Sequence, residues 1–233
     1  MDKFFYDKIF NIFFPNRCGF CGSFTCNGSY VCKTCQPLKY SLNLEHCILC
    51  GKKVYNKDNI CKECSIKKIY YDKLIYCSEY KDVIKKELLA YKFNDSSYLY
   101  NFFAEILGVK LLPENADIIC TVPISKLRMK ERGYNQSKLI GKKVSNNLGK
   151  QYADLLVKTH ETLRQSELDR SQRLVNIKNS FALNDKYDIK GKSVILIDDI
   201  FTTGATVNEC SKILRKAGAK RIIVAVIAIS TNK

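Results

Sequence analysis

The stretch VILIDDIFTTGAT occupies residues 194–206. Four apolar residues run into two adjacent aspartates, Asp198 and Asp199, and a turn of small and hydroxyl-bearing residues follows. With Ser193 ahead of it, the apolar run reads as a strand over 193–198 that is apolar on both faces, as a parallel strand covered by helices is. Residues 205–217 read as a helix with Val207, Cys210, Leu214 and Ala217 on one side and Gly218 as a left-handed stop. RIIVAVIAI at 221–229 is the next buried strand. Strand, helix and strand form a βαβ unit, so the fold class is α/β with a mainly parallel sheet.

The acids then fall at the carboxyl end of a strand, where ligands of such sheets bind. Thr202, Thr203, Gly204, Ala205 and Thr206 offer backbone N–H groups and hydroxyls, and the helix behind them aims its positive end at the same spot. A phosphate belongs over residues 202–206. The paired carboxylates would repel it and suit hydroxyls or a hydrated Mg²⁺ instead. A phosphorylated ribose, with its phosphate at one end and its diol at the other, satisfies both. Two acids before a helix can also be no more than a cap. Their place directly after a buried strand, in register with Thr-Thr-Gly-Ala-Thr, favours the ligand. GKS at 191–193 looks like the tail of a nucleotide-binding P-loop, but Lys186 stands where that loop needs glycine.

Upstream, EYKDVIKKELLAYKF (79–93) puts Tyr80, Val83, Ile84, Leu88 and Tyr91 on one helical face. A second amphipathic helix fits 97–110, with Leu99, Phe102, Phe103 and Ile106. DIICTVP (117–123) reads as a strand stopped by Pro123. KLRMKERGYNQSKLIGKK (126–143) interleaves Lys126, Arg128, Lys130, Arg132 and Lys138 with Tyr134. That pattern suits backbone contacts plus base stacking on single-stranded nucleic acid; a solvated basic face is the plainer reading. Charge agrees: 39 Lys and Arg against 23 Asp and Glu leave +16, which favours polyanions.

The first 75 residues are built on cysteine. Four Cys-x-x-Cys pairs occur, Cys18/Cys21, Cys32/Cys35, Cys47/Cys50 and Cys61/Cys64, and the second four positions are the first four shifted by 29. Gly22 and Gly51 repeat with them, as do CKTC and CKEC. Two such knuckles complete a closed tetrahedral thiolate site, which suits structural Zn²⁺, and a short segment poor in large aliphatics needs that staple. Iron–sulfur ligation would show asymmetric spacings, and a redox site needs fewer pairs. Local pairing gives two ions, one per unit; a cross-braced exchange of knuckles is the alternative. Cys26, Cys77, Cys120 and Cys210 read as small buried hydrophobes, His46 as a neighbour of Cys47 that a full cysteine set leaves unused, and His160 as isolated. The opening MDKFFYDKIFNIFFP reads as a helix docking through Phe5, Ile9 and Ile12 or Phe13, not as a signal peptide. No run approaches the roughly 20 apolar residues of a membrane span, and a cytoplasmic location is expected.

LIDDIFTTGAT matches the 5-phosphoribosyl-1-pyrophosphate (PRPP) motif of the type I phosphoribosyltransferases. With the cysteine repeat, YKDVIKKELLAYKF, TVP, LRMKERGYNQ and TLRQSELDRSQRLVN in that order, the chain resembles the ComF family of DNA-uptake proteins over nearly its whole length. Tyr134 stands where that family often has Phe, and Phe201 where a smaller aliphatic is common. The resemblance implies a phosphoribosyltransferase-like parallel sheet flanked by helices over 78–233, and a small four-cysteine zinc-ribbon module over 1–75. It implies that Asp198 and Asp199 hold the ribose 2′- and 3′-hydroxyls, that residues 202–206 cradle the 5-phosphate, and that Pro123 to Lys126 meet the pyrophosphate with Mg²⁺. Arg128 and Arg132 become anion clamps, and Arg132 joins the acids as a catalytic group. Thr162, Gln165, Arg173 and Asn176 match a polar segment that closes over the site. The function implied is PRPP-dependent handling of single-stranded DNA during uptake, alongside partners such as a competence helicase. A non-enzymatic DNA-binding factor regulated by PRPP and a nucleobase salvage transferase are the alternatives.

Overall fold

The structure, a computed structural model, describes residues 17–25, 29–35, 45–93, 99–160, 177 and 179–230. The expected N-terminal helix, Cys26, and the polar segment with Thr162, Gln165, Arg173 and Asn176 lie outside the described residues.

The sequence repeat is a repeat of structure. In the first unit Cys18 N donates to Ser23 O at 2.8 Å and Gly22 N to Cys18 O at 2.8 Å; in the second, Cys47 N donates to Lys52 O at 2.7 Å and Gly51 N to Cys47 O at 2.8 Å. Both knuckle glycines sit at φ 74°. An antiparallel bridge closes each knuckle, Arg17 to Phe24 and His46 to Lys53. The last cysteine of each unit lies on a helical turn, Cys35 on Lys33–Cys35 and Cys64 on α1 (Lys62–Ser65). The thiol sulfurs of Cys18, Cys21, Cys32 and Cys35 lie within 4.8 Å of one another, as do those of Cys47, Cys50, Cys61 and Cys64. Pairing is therefore local. Cys21 Sγ to Cys32 Sγ and Cys50 Sγ to Cys61 Sγ are both 3.6 Å, close to the roughly 3.8 Å edge of a tetrahedron built on Zn–S bonds of about 2.3 Å. Each cluster fits one closed structural zinc site.

The chain continues as β1 (Lys73–Glu79), α2 (Asp82–Phe93), α3 (Leu99–Leu111), β2 (Ile118–Thr121), α4 (Lys126–Arg132), α5 (Gln136–Leu148), β3 (Gln151–Tyr152), β4 (Leu156–Lys158), β5 (Phe181–Leu183), β6 (Ser193–Phe201), α6 (Ala205–Lys216) and β7 (Arg221–Ile229). Five strands form one parallel sheet in the order β1-β7-β6-β2-β3; β4 and β5 pair antiparallel beside it. Strand alternation divides the core in two. Ile195 and Ile197 face a layer containing Leu88, Tyr91, Phe103 and Ile140 from α2, α3 and α5. Val194 and Leu196 face Val207, Cys210 and Leu214 of α6.

The two four-cysteine units dock on opposite layers. The first adds Cys18 and Val31 to the α3 layer. Phe20 meets Phe102 edge-on at 5.1 Å, and Glu105 accepts from Tyr30 N at 3.0 Å and Ser29 Oγ at 3.2 Å. The second packs Leu49 and Cys50 on the α6 layer. Tyr71 Oη donates to Leu49 O at 2.6 Å. A Cβ on Gly51 would lie 2.6 Å from Ile229 Cδ1, so the knuckle sits directly on the end of β7.

Two elements depart from the sequence reading. Strand β1 has four consecutive buried residues and no alternation, so periodicity does not distinguish it. Strand β6, expected over 193–198, runs on to Phe201. It continues because β7 extends equally far, pairing Asp198 with Val226, Ile200 with Ala228 and Phe201 with Ile229. The aspartates thus lie inside the paired strand, three and two residues before its last residue Phe201, and not after it.

Elemental analysis of the purified protein is expected to give two zinc ions per chain. Replacing Cys18 and Cys21 together by Ser is expected to leave one, because each cluster draws on one unit only.

Candidate functional site

A cavity of about 790 Å³ opens at the carboxyl ends of β2 and β6. Its floor carries Asp198 and Asp199; its rim carries Thr202, Gly204, Ala205 and Thr206 on one side and Pro123, Arg128 and Arg132 on the other. Of the residues expected to act together, Thr203, Lys126, Lys130 and Lys138 are not in its wall. Thr203 instead turns its Oγ1 toward Ala205 N at 3.3 Å and shapes the loop.

The turn is formed by steric necessity. Gly204 has φ +77°, and a Cβ there would lie 2.6 Å from Phe201 Cζ. Phe201 is buried beneath the turn, so glycine is required twice over, once by the backbone and once by the ring. Gly204 caps α6 without a side chain. The first-turn amides of a helix have no partner within it, and those of α6 start at the cavity rim.

The acids are held differently. Asp198 Oδ1 accepts from Ser137 Oγ at 3.1 Å and from Asp199 N at 2.9 Å. Burial, and then the neighbouring Asp199 charge, push the Asp198 carboxyl up to about 7. Asp199 Oδ1 accepts from Ile200 N at 2.6 Å, and Oδ2 meets Lys92 Nζ of α2 at 2.5 Å. The acid pair is therefore not simply open to a diol, as the sequence suggested: one member is ion-paired within the protein. Each carboxylate oxygen has two lone pairs, so both acids retain acceptor capacity toward the cavity.

RGYNQ, residues 132–136, is the joint between α4 and α5. Arg132 donates to Gln136 Oε1 at 3.1 Å. Gly133 ends α4 in the left-handed region, φ 73°. Tyr134 donates its hydroxyl to Tyr91 O, with the rings 5.8 Å apart. Asn135 caps α5 by accepting from Lys138 N at 3.2 Å, and its amide donates to Val122 O at 3.1 Å. Tyr91 Oη donates to Gln136 O at 2.8 Å. The motif thus ties the loop after β2, α4, α5 and α2 into one wall, and burial lowers the Arg132 pKa there while Asp199 opposes the shift.

The six residues expected to face nucleic acid are not one stripe. Lys126 and Lys130 are exposed on α4. Tyr134 is half-buried against Tyr91 and lines the cavity. Lys138 lies on α5 and pairs with Asp154 at 2.7 Å. Cys77, Cys120 and Cys210 are buried, as expected. His46 is outside the cysteine cluster and packs on Tyr76, and His160 is exposed beside Thr159.

Sequence reasoning missed Lys92, Ser137 and the wall made by Lys158 and Phe181. The first two had a signal. Lys92 falls four residues after Leu88 and eight after Ile84, and Ser137 precedes Ile140, Gly141 and Val144 at helical spacing. Each is a polar residue set in a buried stripe. Lys158 and Phe181 meet only through the β4–β5 pair, in which they are register partners.

An acid pair in a parallel strand above a glycine-capped helix is the layout of a phosphoribosyltransferase-type domain. The family model described as Phosphoribosyl transferase domain matches residues 135–232. The likeness extends beyond it. The chain is 30% identical over 225 residues to Competence protein F of Haemophilus influenzae, covering 91% of this chain and 96% of that protein. It is 34% identical over 143 residues to Competence protein ComFC of Streptococcus pneumoniae, covering 61% and 62%, and 26% identical over 219 residues to DNA utilization protein YhgH of Escherichia coli, covering 90% and 95%. The chain belongs to the ComF family. Among the described residues no helix is long and apolar enough to cross a membrane.

A carboxyl raised on folding favours the native state while it is protonated, and that contribution is lost as pH rises from the usual carboxylate range through about 7. Asp198→Asn is therefore expected to raise the melting temperature at pH 8 and to leave it little changed at pH 5, as followed by circular dichroism.

Proposed function

We propose that this cavity binds PRPP with Mg²⁺ and that the protein works on incoming single-stranded DNA during natural transformation. The observation that carries the reading is the juxtaposition at the end of β6: Asp198 and Asp199 on the floor, the 202–206 turn and the α6 N-terminus on one rim, Arg128 and Arg132 on the other. Carboxylates suit the ribose 2′- and 3′-hydroxyls, and helix-terminal amides suit the 5-phosphate. Guanidinium groups suit the pyrophosphate, which they grip in bidentate fashion. Mg²⁺ bound to the pyrophosphate would offset its charge and stabilise it as a leaving group. Breaking the bond from C1 to pyrophosphate builds positive charge on the sugar and negative charge on the leaving group. Asp198 and Asp199 are near the first, and Arg132 near the second; these are the catalytic groups of the reading.

The DNA part rests on the printed names of the relatives and on charge. Lys126 and Lys130 are exposed on the helix that also carries Arg128 and Arg132 to the cavity rim. A strand bound along α4 would reach the cavity mouth. The cytoplasm, where PRPP is made and DNA arrives single-stranded, is the location this reading requires.

Calorimetry with PRPP and Mg²⁺ is expected to show binding by the native protein and none by Asp198→Asn/Asp199→Asn; equal binding would remove the assigned ligand. Pyrophosphate release on adding single-stranded DNA or a free base would mark an enzyme, and binding without release a PRPP-regulated DNA-binding factor. Single-stranded DNA affinity is expected to fall steeply with salt. Replacing Lys126 and Lys130 by Ala should flatten the log–log slope by about 0.7 per lost phosphate contact; an unchanged slope would take α4 out of the interface.

A further inference from the structure

The Lys92–Asp199 ion pair has no counterpart in the motif reading of the site. Lys92 comes from α2, more than a hundred residues before the acid it meets. Both partners line the cavity, and their side chains are 15% and 16% exposed. By contrast the surface pair Lys81–Glu79 leaves its lysine 65% exposed. Holding a lysine in a buried helical stripe costs desolvation unless its charge is used.

The electrostatic need is plain. Asp198 and Asp199 are adjacent in one strand and share one poorly solvated floor, where two like charges cannot both be held cheaply. Asp199 is faced by Lys92 from α2, by Arg132 from α4, and by the neutral phenols Tyr80 and Tyr91. Ser137 of α5 and the Asp199 amide serve Asp198. Arg132 is engaged by Gln136 and lies on the rim where an anion would draw it. Among the described residues, Lys92 is a cation in direct contact with Asp199.

We propose that Lys92 is a positioning residue that keeps Asp199 ionised and fixed in one rotamer, so that the acid pair presents a charged acceptor to the sugar diol. The proposal deepens the PRPP reading and rests on it for the ligand. Lys92 Nζ takes one oxygen of Asp199 from the side of α2 and leaves the remaining lone pairs for hydroxyls. Without that cation Asp198, whose pKa the Lys92 charge lowers, holds its proton to higher pH. A protonated carboxyl donates a hydrogen bond and accepts fewer from the diol.

The test compares Lys92→Met and Lys92→Arg with the native protein. Met keeps the aliphatic stem and deletes the charge; Arg restores a charge. PRPP affinity at pH 7 is expected to fall about tenfold or more in Lys92→Met, the loss of one contact to a charged group. It should recover in part at pH 8.5, and Lys92→Arg should restore much of it at pH 7. Unchanged affinity, or tighter binding because the lysine merely blocks the pocket, would overturn the proposal. A second measurement needs no ligand: carboxyl carbon titration by NMR of aspartate-labelled free protein. The pair should titrate at higher pH in Lys92→Met than in the native protein, and an unmoved titration would overturn the role of Lys92. If the native protein fails to bind PRPP, the ligand assignment falls, and this titration alone decides whether Lys92 holds Asp199 charged.

Discussion

The parallel pairing of β6 with β7, carried through the acid pair to Phe201 and Ile229, is the constraint on which the site depends. Side chains on a paired strand cannot drift, and successive residues must point to opposite faces. Asp198 and Asp199 nevertheless share the floor of one cavity, where both meet helices of the same layer. One is served by α5, through Ser137, and the other by α2, through Lys92. The same pairing places Phe201 beneath Gly204 and so sets where the turn and α6 begin. Backbone hydrogen bonds, rather than a flexible loop, thus aim both the acids and the helix terminus at one cavity.

The opposite wall is assembled by a different device. The residues of RGYNQ look like binding residues because they are polar and close together. Most of them are committed to structure: Gly133 to a left-handed helix end, Tyr134 to Tyr91, and Asn135 to a helix cap and to Val122. Their joint effect is to present Arg128 and Arg132 to the cavity. Tyr91 sits between the two walls, donating to Gln136 on one side while its neighbour Lys92 reaches Asp199 on the other.

The four-cysteine units act on the same sheet from outside. Each has the same hydrogen bonds and the same knuckle, so the duplication preserved the metal-binding shell. What diverged is the docking surface. Among the described residues a Cβ on Gly22 would meet nothing, whereas Gly51 abuts Ile229 at the carboxyl end of β7 and Tyr76 in the middle of β1. The first unit leans on Phe102 of α3, so the two copies hold opposite layers of one core. A thiolate-bound metal suits that task, because it fixes a small surface that has little core of its own.

Sequence alone determined the elements whose signal is local. The βαβ unit around residues 194–229 showed in its apolar runs, and the cysteine repeat in its spacing. The α2 and α3 stripes showed in their period, and the candidate site in two acids next to a glycine turn. These follow from the 3.6- and 2-residue periods and from thiolate geometry, which act over a few residues. Tertiary structure decided the rest. Strand β1 was hidden because burial on both faces erases alternation. The contact between Lys92 and Asp199 and that between Tyr134 and Tyr91 join residues far apart in the chain. No local pattern encodes such a meeting, because which buried polar side chains find one another depends on how the layers pack.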